Sequence, residues 1–185
     1  MTWKIVHLND VVPTPWRNGG GTTRELLAWP ESAAWQWRAS VAEVTQPGPF
    51  SSFVGVQRWF AVLEGDGVCL TVNRYLHMLG KSDEPFAFDG ALDTTCELLG
   101  SETQDFNLMV QGGASAHMQR VSGNFKMTAI TPKIIAAYTH HERATVQIGS
   151  EIHALSPHSF GWVHVDANTA IHVQASDALL MEINV

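Results

Sequence analysis

Cysteine is scarce in this chain. Cys69 and Cys96 are its two copies in 185 residues, and they show no Cys-x-x-Cys spacing. A disulfide framework and a thiolate metal site are therefore not expected, and both residues read as small apolar groups inside strands. Charge is sparse as well: Asp, Glu, Lys and Arg together make up 16% of the sequence, with a net charge of −7. The Lys and Arg residues are scattered singly. An acidic chain without basic runs repels phosphate backbones and offers a membrane surface no cationic patch, which argues against nucleic-acid and membrane partners. No window approaches the ~20 apolar residues that a bilayer requires. The first ten residues lack the charged-then-apolar pattern of a secretion signal. These features predict a cytoplasmic protein.

Recognisable catalytic patterns are missing too. Histidine is plentiful, at His7, His77, His117, His140, His141, His153, His158, His164 and His172, yet no His-x-His pair occurs. Metal sites need converging ligands, commonly two His on one strand face plus a further His and a carboxylate. His140 and His141 would face opposite ways in a strand, and His153 and His158 flank a predicted turn. No metal and no cofactor are expected. There is no Gly-x-Ser-x-Gly elbow and no recognisable carboxylate pair, which weighs against an enzyme.

No segment carries an amphipathic helix of about 12 residues or more; the period is two. Trp35, Trp37, Ala39 and Val41 alternate with Gln36, Arg38 and Ser40. Ala144, Val146 and Ile148 alternate with Thr145 and Gln147, and Leu179, Met181, Ile183 and Val185 with Leu180, Glu182 and Asn184. Turn signals punctuate these runs. Glu64-Gly65-Asp66-Gly67 lies between Trp59–Leu63 and Val68–Val72 and predicts a hairpin. Many short strands at regular spacing indicate an all-β sandwich or barrel. A chain of this length is one domain or two fused halves, and it can bury roughly 70% of its unfolded surface. The region around Gly112–Asn124 is the natural join.

Three stretches stand out. Pro15–Glu25 holds Gly19-Gly20-Gly21, but no Lys-Ser/Thr or helix pattern follows, so it is not a phosphate loop. It is either a tight turn entering a strand or a turn that lines a ligand. Arg38 sits mid-strand, opposite the apolar tryptophan face, and Arg58 opens the next strand with Phe60 and Val62 on its own face. Such an arginine reaches solvent or meets an anion. In Asp105–Val110, Asn107 shares a face with Asp105 and Met109, and it either satisfies a turn or reads a ligand.

The stretches Pro15–Glu25, Trp37–Ala42, Gly48–Arg58, Leu63–Gly67 and Asp105–Met109 occur in this order, and together they resemble the HutD/Ves family. The motifs cover about the first 60% of the chain; the remainder matches in length and β character. The resemblance implies an all-β, cupin-type, bicupin-like fold. Two β-barrel halves, about 1–112 and 113–185, would form one compact unit. It also implies a link to histidine utilisation, moderated by binding N-formylglutamate or a related intermediate. A second branch is known as an environment-responsive protein. Arg17 stands where many relatives have lysine, and Val110-Gln111 where relatives often have arginine.

A formylated glutamate carries two carboxylates and one amide. Arginine grips a carboxylate with two parallel charge-assisted bonds, and a small barrel holds such a ligand in its mouth. The expected ligand-binding residues are Trp16, Asn18, Arg38, Ser40, Arg58, Phe106 and Asn107, with a small polar dicarboxylate as partner. Two other readings stay open. One is a metal-independent cupin enzyme, an isomerase or amide hydrolase, with His164 or His172 as base. The other is an interaction or stress-response module. Cupin barrels often pair through their sheets, so a homodimer is one expected assembly.

Overall fold

In a computed structural model of the chain, residues 2–185 are described. β1 (Lys4–His7) is followed by a single 3-10 turn (Leu8–Asp10). Then come β2 (Thr14–Pro15), β3 (Gly21–Trp29), β4 (Trp37–Val44), β5 (Gly48–Pro49), β6 (Gln57–Glu64) and β7 (Val68–Val72). β8 (Tyr75–Leu79), β9 (Phe86–Asp89), β10 (Thr94–Leu98) and β11 (Thr103–Val110) follow. The last six are β12 (Ser115–Ala129), β13 (Lys133–Thr139), β14 (Ala144–Ile148), β15 (Glu151–Leu155), β16 (Ser159–Val165) and β17 (Thr169–Asn184). The fold is all-β, as the period-two patterning predicts. Among the described residues, no helix is long and apolar enough to cross a membrane.

The chain divides into two compact units, one of Val11–Gly113 and one of the residues up to Asp10 together with Ala114–Val185. The longer stretch of the second, Ala114–Val185, starts within the region around Gly112–Asn124. The first ten residues, however, belong with the later unit rather than with the first half. The reason is register: Lys4–His7 pairs antiparallel with Ser159–Trp162 of β16.

In that later unit β17 is the organiser. Its first half pairs with β14, its second half with β13, and β12 runs along its other edge. Ile135, Val146, Val163, Val173 and Leu180 are buried in its core.

The Val11–Gly113 unit holds two sheets, ordered β2-β3-β4-β11-β6-β9 and β5-β10-β7-β8. Val44, Phe60 and Val62 of the first sheet and Val68, Leu70, Val72 and Cys96 of the second share one core. The residues Glu64–Gly67 do not make the predicted hairpin. β6 pairs with β9 and β11, whereas β7 pairs with β8 and β10. The turn is a corner that carries the chain from one sheet to the other. Gly67 has φ +100 there, and an added Cβ would sit 2.6 Å from the Leu79 carbonyl oxygen. The actual two-residue hairpin joins β7 to β8 through Asn73 and Arg74, at φ 47 and 74. Positive φ at both central residues is the twist-matched turn that hairpins favour. Asn-Gly would have signalled it plainly; Asn-Arg does not.

Both cysteines are free and buried. Cys96 lies opposite Leu70 and Cys69 opposite Glu97, so alternation sends the two side chains to opposite faces of the sheet.

Candidate functional site

A cavity of about 650 Å³ lies within the Val11–Gly113 unit. That is within the roughly 300–1,000 Å³ usual for small-molecule sites. Strand alternation builds its walls. β4 contributes Arg38, Ser40, Ala42 and Val44, every second residue. β6 contributes Arg58 and Phe60, and β11 contributes Asn107 and Met109. Cross-strand register sets Met109 beside both Arg38 and Arg58, and Asn107 beside both Ser40 and Phe60.

Arg58 lies deepest in chemical terms. It is 6% exposed, and its Nη2 donates to Asn107 Oδ1 at 3.1 Å. Three phenylalanines surround the guanidinium: its Cζ lies 5.0 Å from the Phe88 ring centre, 5.1 Å from Phe50 and 5.7 Å from Phe53. Their faces offset part of the lost hydration. The buried Nε has no hydrogen-bond acceptor. Burial, and then the neighbouring charge of Arg38, bring the Arg58 pKa down from 12.5 to about 10. At neutral pH it remains a cation, held in a place that disfavours cations. Only an anion relieves both effects together.

Arg38 is more open. Its Nε lies 3.1 Å from Glu25 Oε2, without the alignment of a hydrogen bond. Arg17 also lines the cavity, which therefore sets three guanidinium groups against one carboxylate. Arg24, the neighbour of Glu25, faces the other way and is neutralised by Glu43 at 2.7 Å.

The triple glycine is a tight turn whose shoulder, rather than its glycines, lines the cavity. The Asn18 side-chain oxygen accepts from the Gly20 amide at 3.1 Å, and the Trp16 amide donates to Gly21 O at 2.9 Å. This turn presents Trp16, Arg17 and Asn18 to the cavity. The Trp16 indole donates to Thr23 Oγ1 at 2.7 Å and meets Phe50 edge-on.

Of the residues expected from the sequence, Trp16, Asn18, Arg38, Ser40, Arg58 and Asn107 line this one cavity. Phe106 does not. It follows Asp105 and precedes Asn107 in the same strand, so its side chain projects from the opposite face, where it is fully buried. Glu25, Phe50, Phe53 and Phe60 also line the cavity, outside the set expected from the sequence. The Gly-Pro-Phe-Ser-Ser-Phe stretch was the available signal for two of them.

Asp105 sits one cavity-facing step beyond Asn107 on β11 and is fully buried. Thr103 Oγ1 donates to its Oδ2 at 2.7 Å, and its Oδ1 has no partner. Burial drives its pKa from 3.8 up to about 7, against the weaker opposing effect of the Thr103 hydroxyl.

The histidines divide differently from the sequence expectation. His140, His141 and His158 cluster, with ring centres 4.2 to 6.1 Å apart. His140 and His141 follow β13 in a turn, so strand alternation does not separate them. Burial, and then His141, hold the His158 pKa below its usual value. Among the described residues, no histidine lines the cavity. His164 is exposed on β16, and His172 borders a separate depression of about 410 Å³ in the later unit.

The HutD family model matches residues 8–181. The chain belongs to the HutD family. An uncharacterised 21.2 kDa protein in the hutC 3′ region of Pseudomonas putida is 33% identical over 144 residues, covering 75% of this chain and 76% of that protein. Protein Ves of Citrobacter koseri is 42% identical over 101 residues, about half of each chain. The structure of HutD from Pseudomonas fluorescens SBW25, in a formate condition, superimposes with a TM-score of 0.85 at 29% identity. That match spans 99% of this chain and 98% of the other. Bacillus subtilis oxalate decarboxylase matches with a TM-score of 0.67 at 8% identity, over 97% of this chain and 76% of its own. At that identity it shares the cupin fold alone.

Proposed function

We propose that this HutD-family protein binds a small dicarboxylate of the N-formylglutamate type in the Val11–Gly113 cavity. In this reading it holds the molecule without transforming it, and so moderates histidine utilisation in the cytoplasm. The observation that carries the reading is Arg58: a guanidinium almost wholly removed from water, walled by phenylalanines, with one hydrogen-bond partner and an unused Nε. A buried cation left unpaired is costly, and a carboxylate completing it forms bonds roughly twice as strong as neutral ones. Arg38 and Arg17 supply charge for a second carboxylate, and Asn18 and Asn107 supply amides to match a formamide. The lining supports holding over chemistry: among the described residues it includes no histidine and no cysteine.

Titration calorimetry with N-formyl-L-glutamate tests this. Wild type should bind one molecule per chain and leave it intact. Arg58→Ala should lose more than about tenfold in affinity, on the order of 1.4 kcal/mol. Equal affinity in the variant would remove Arg58 from the site, and no heat in wild type would refute the reading.

A further inference from the structure

Glu25 stands among the cations that a ligand carboxylate would seek. Thr23 and Glu25 face the cavity on β3, opposite Ala42 and Ser40. A bulge follows immediately: the register shifts between Glu25 and Leu27, so that Ala28, not an odd-numbered residue, comes to lie opposite Arg38. Bulges re-aim side chains, and this one leaves Glu25 beside Arg38.

The hold between the two is loose. Glu25 Oε2 is 3.1 Å from Arg38 Nε without hydrogen-bond alignment, and its side chain is 38% exposed. Its other contact is an exposed one, from Ser32 Oγ to Oε1 at 3.3 Å. Glu43, on the opposite face of the same sheet, shows what a fixed carboxylate looks like. It receives Arg24 at 2.7 Å, Thr22 at 3.2 Å and Gln104 at 3.3 Å. An ion pair as open as Glu25–Arg38 is weak and readily exchanged.

We propose that Glu25 is a built-in occupant of Arg38, displaced toward solvent when a carboxylate of the ligand takes the guanidinium. This rests on the anion-binding reading of the cavity. It makes Glu25 a selectivity-determining residue. A single carboxylate that seats at Arg58 leaves the Glu25–Arg38 pair undisturbed. A second carboxylate must compete with Glu25 for Arg38, so molecules that present it in poor register are rejected.

The test uses Glu25→Gln in the full chain, titrated with N-formyl-L-glutamate and with formate. Displacement predicts a gain of about five- to tenfold for N-formyl-L-glutamate and less than about twofold for formate. Glu25→Ala should shift affinity in the same direction, which separates the lost charge from a misplaced glutamine. Equal gains for both anions would show that Glu25 merely lowers the local potential, and would overturn displacement. A loss of N-formyl-L-glutamate affinity would make Glu25 a positioner of Arg38, and would overturn it equally. Binding unchanged by either substitution sinks the Glu25 proposal while the anion site stands. Failure of wild type and both variants to bind either probe sinks both.

Discussion

Replacing Asp105 with asparagine probes the interior of the cavity-bearing unit without touching the cavity lining. A carboxyl of pKa about 7 in the fold and 3.8 when unfolded is protonated in the folded state across mildly acidic pH, where the unfolded chain has already ionised. The raised folded pKa fixes the sign. The favourable contribution of the neutral form is complete below about pH 4 and is lost as pH rises through about 7. About three pKa units at 1.36 kcal/mol each give a burial penalty of about 4 kcal/mol above that pH. Asparagine keeps the acceptor for Thr103 and never ionises. The stability difference between Asp105→Asn and wild type should therefore be smallest near pH 4. It should then grow by about 1.4 kcal/mol per pH unit and level off near 4 kcal/mol in favour of the variant above about pH 7. Urea unfolding followed by tryptophan fluorescence, at half-unit pH steps, measures this. The difference is the diagnostic quantity, because His158, with its lowered pKa, contributes in the opposite sense. Its contribution is present above the unfolded histidine value and lost as pH falls, and it cancels in the comparison. Parallel curves for the two proteins, or a variant that loses stability as pH rises, would refute the reasoning.

Three further outcomes follow from named contacts. Gly67→Ala should destabilise the fold by about 1–3 kcal/mol, because φ +100 disfavours a side chain and Leu79 O occupies the space; a thermal midpoint equal to wild type would contradict the corner geometry. The Cys96 thiol, pushed up to about 12 by burial and then by Asp105, should resist thiol reagents at pH 8 until urea unfolds the chain. Labelling of native Cys96 within minutes would show that the barrel opens. His141→Gln should raise the His158 titration midpoint seen by NMR part of the way to its ordinary value, since burial is the larger cause; no movement would mean that the two rings are not neighbours in solution.

Much of this architecture is legible in the residues, because a side-chain period of two is a local property. Arg38 and Ser40, Arg58 and Phe60, and Asn107 and Met109 each share a face by alternation alone, and the barrel turns those faces inward together. The same rule excludes Phe106, which adjoins Asn107 in the motif but lies on the other face of β11. Non-local pairing is not legible in this way. Asp66-Gly67 reports a turn without saying which sheet receives the next strand, and nothing in Lys4–His7 names β16 as its partner. The bulge at Leu26 is equally silent: an unbroken alternation would carry Glu25, Leu27 and Trp29 along one face and hide the approach of Glu25 to Arg38. The His140–His141–His158 cluster depends on a turn meeting another turn, which spacing along the chain cannot show.

The most direct measurement of the central claim is a crystal structure of the protein grown with N-formyl-L-glutamate. A carboxylate oxygen should lie about 3 Å from the Arg58 guanidinium, inside the cavity of the Val11–Gly113 unit. A saturated complex with the ligand elsewhere on the chain, and with Arg58 still paired to Asn107 alone, would contradict it.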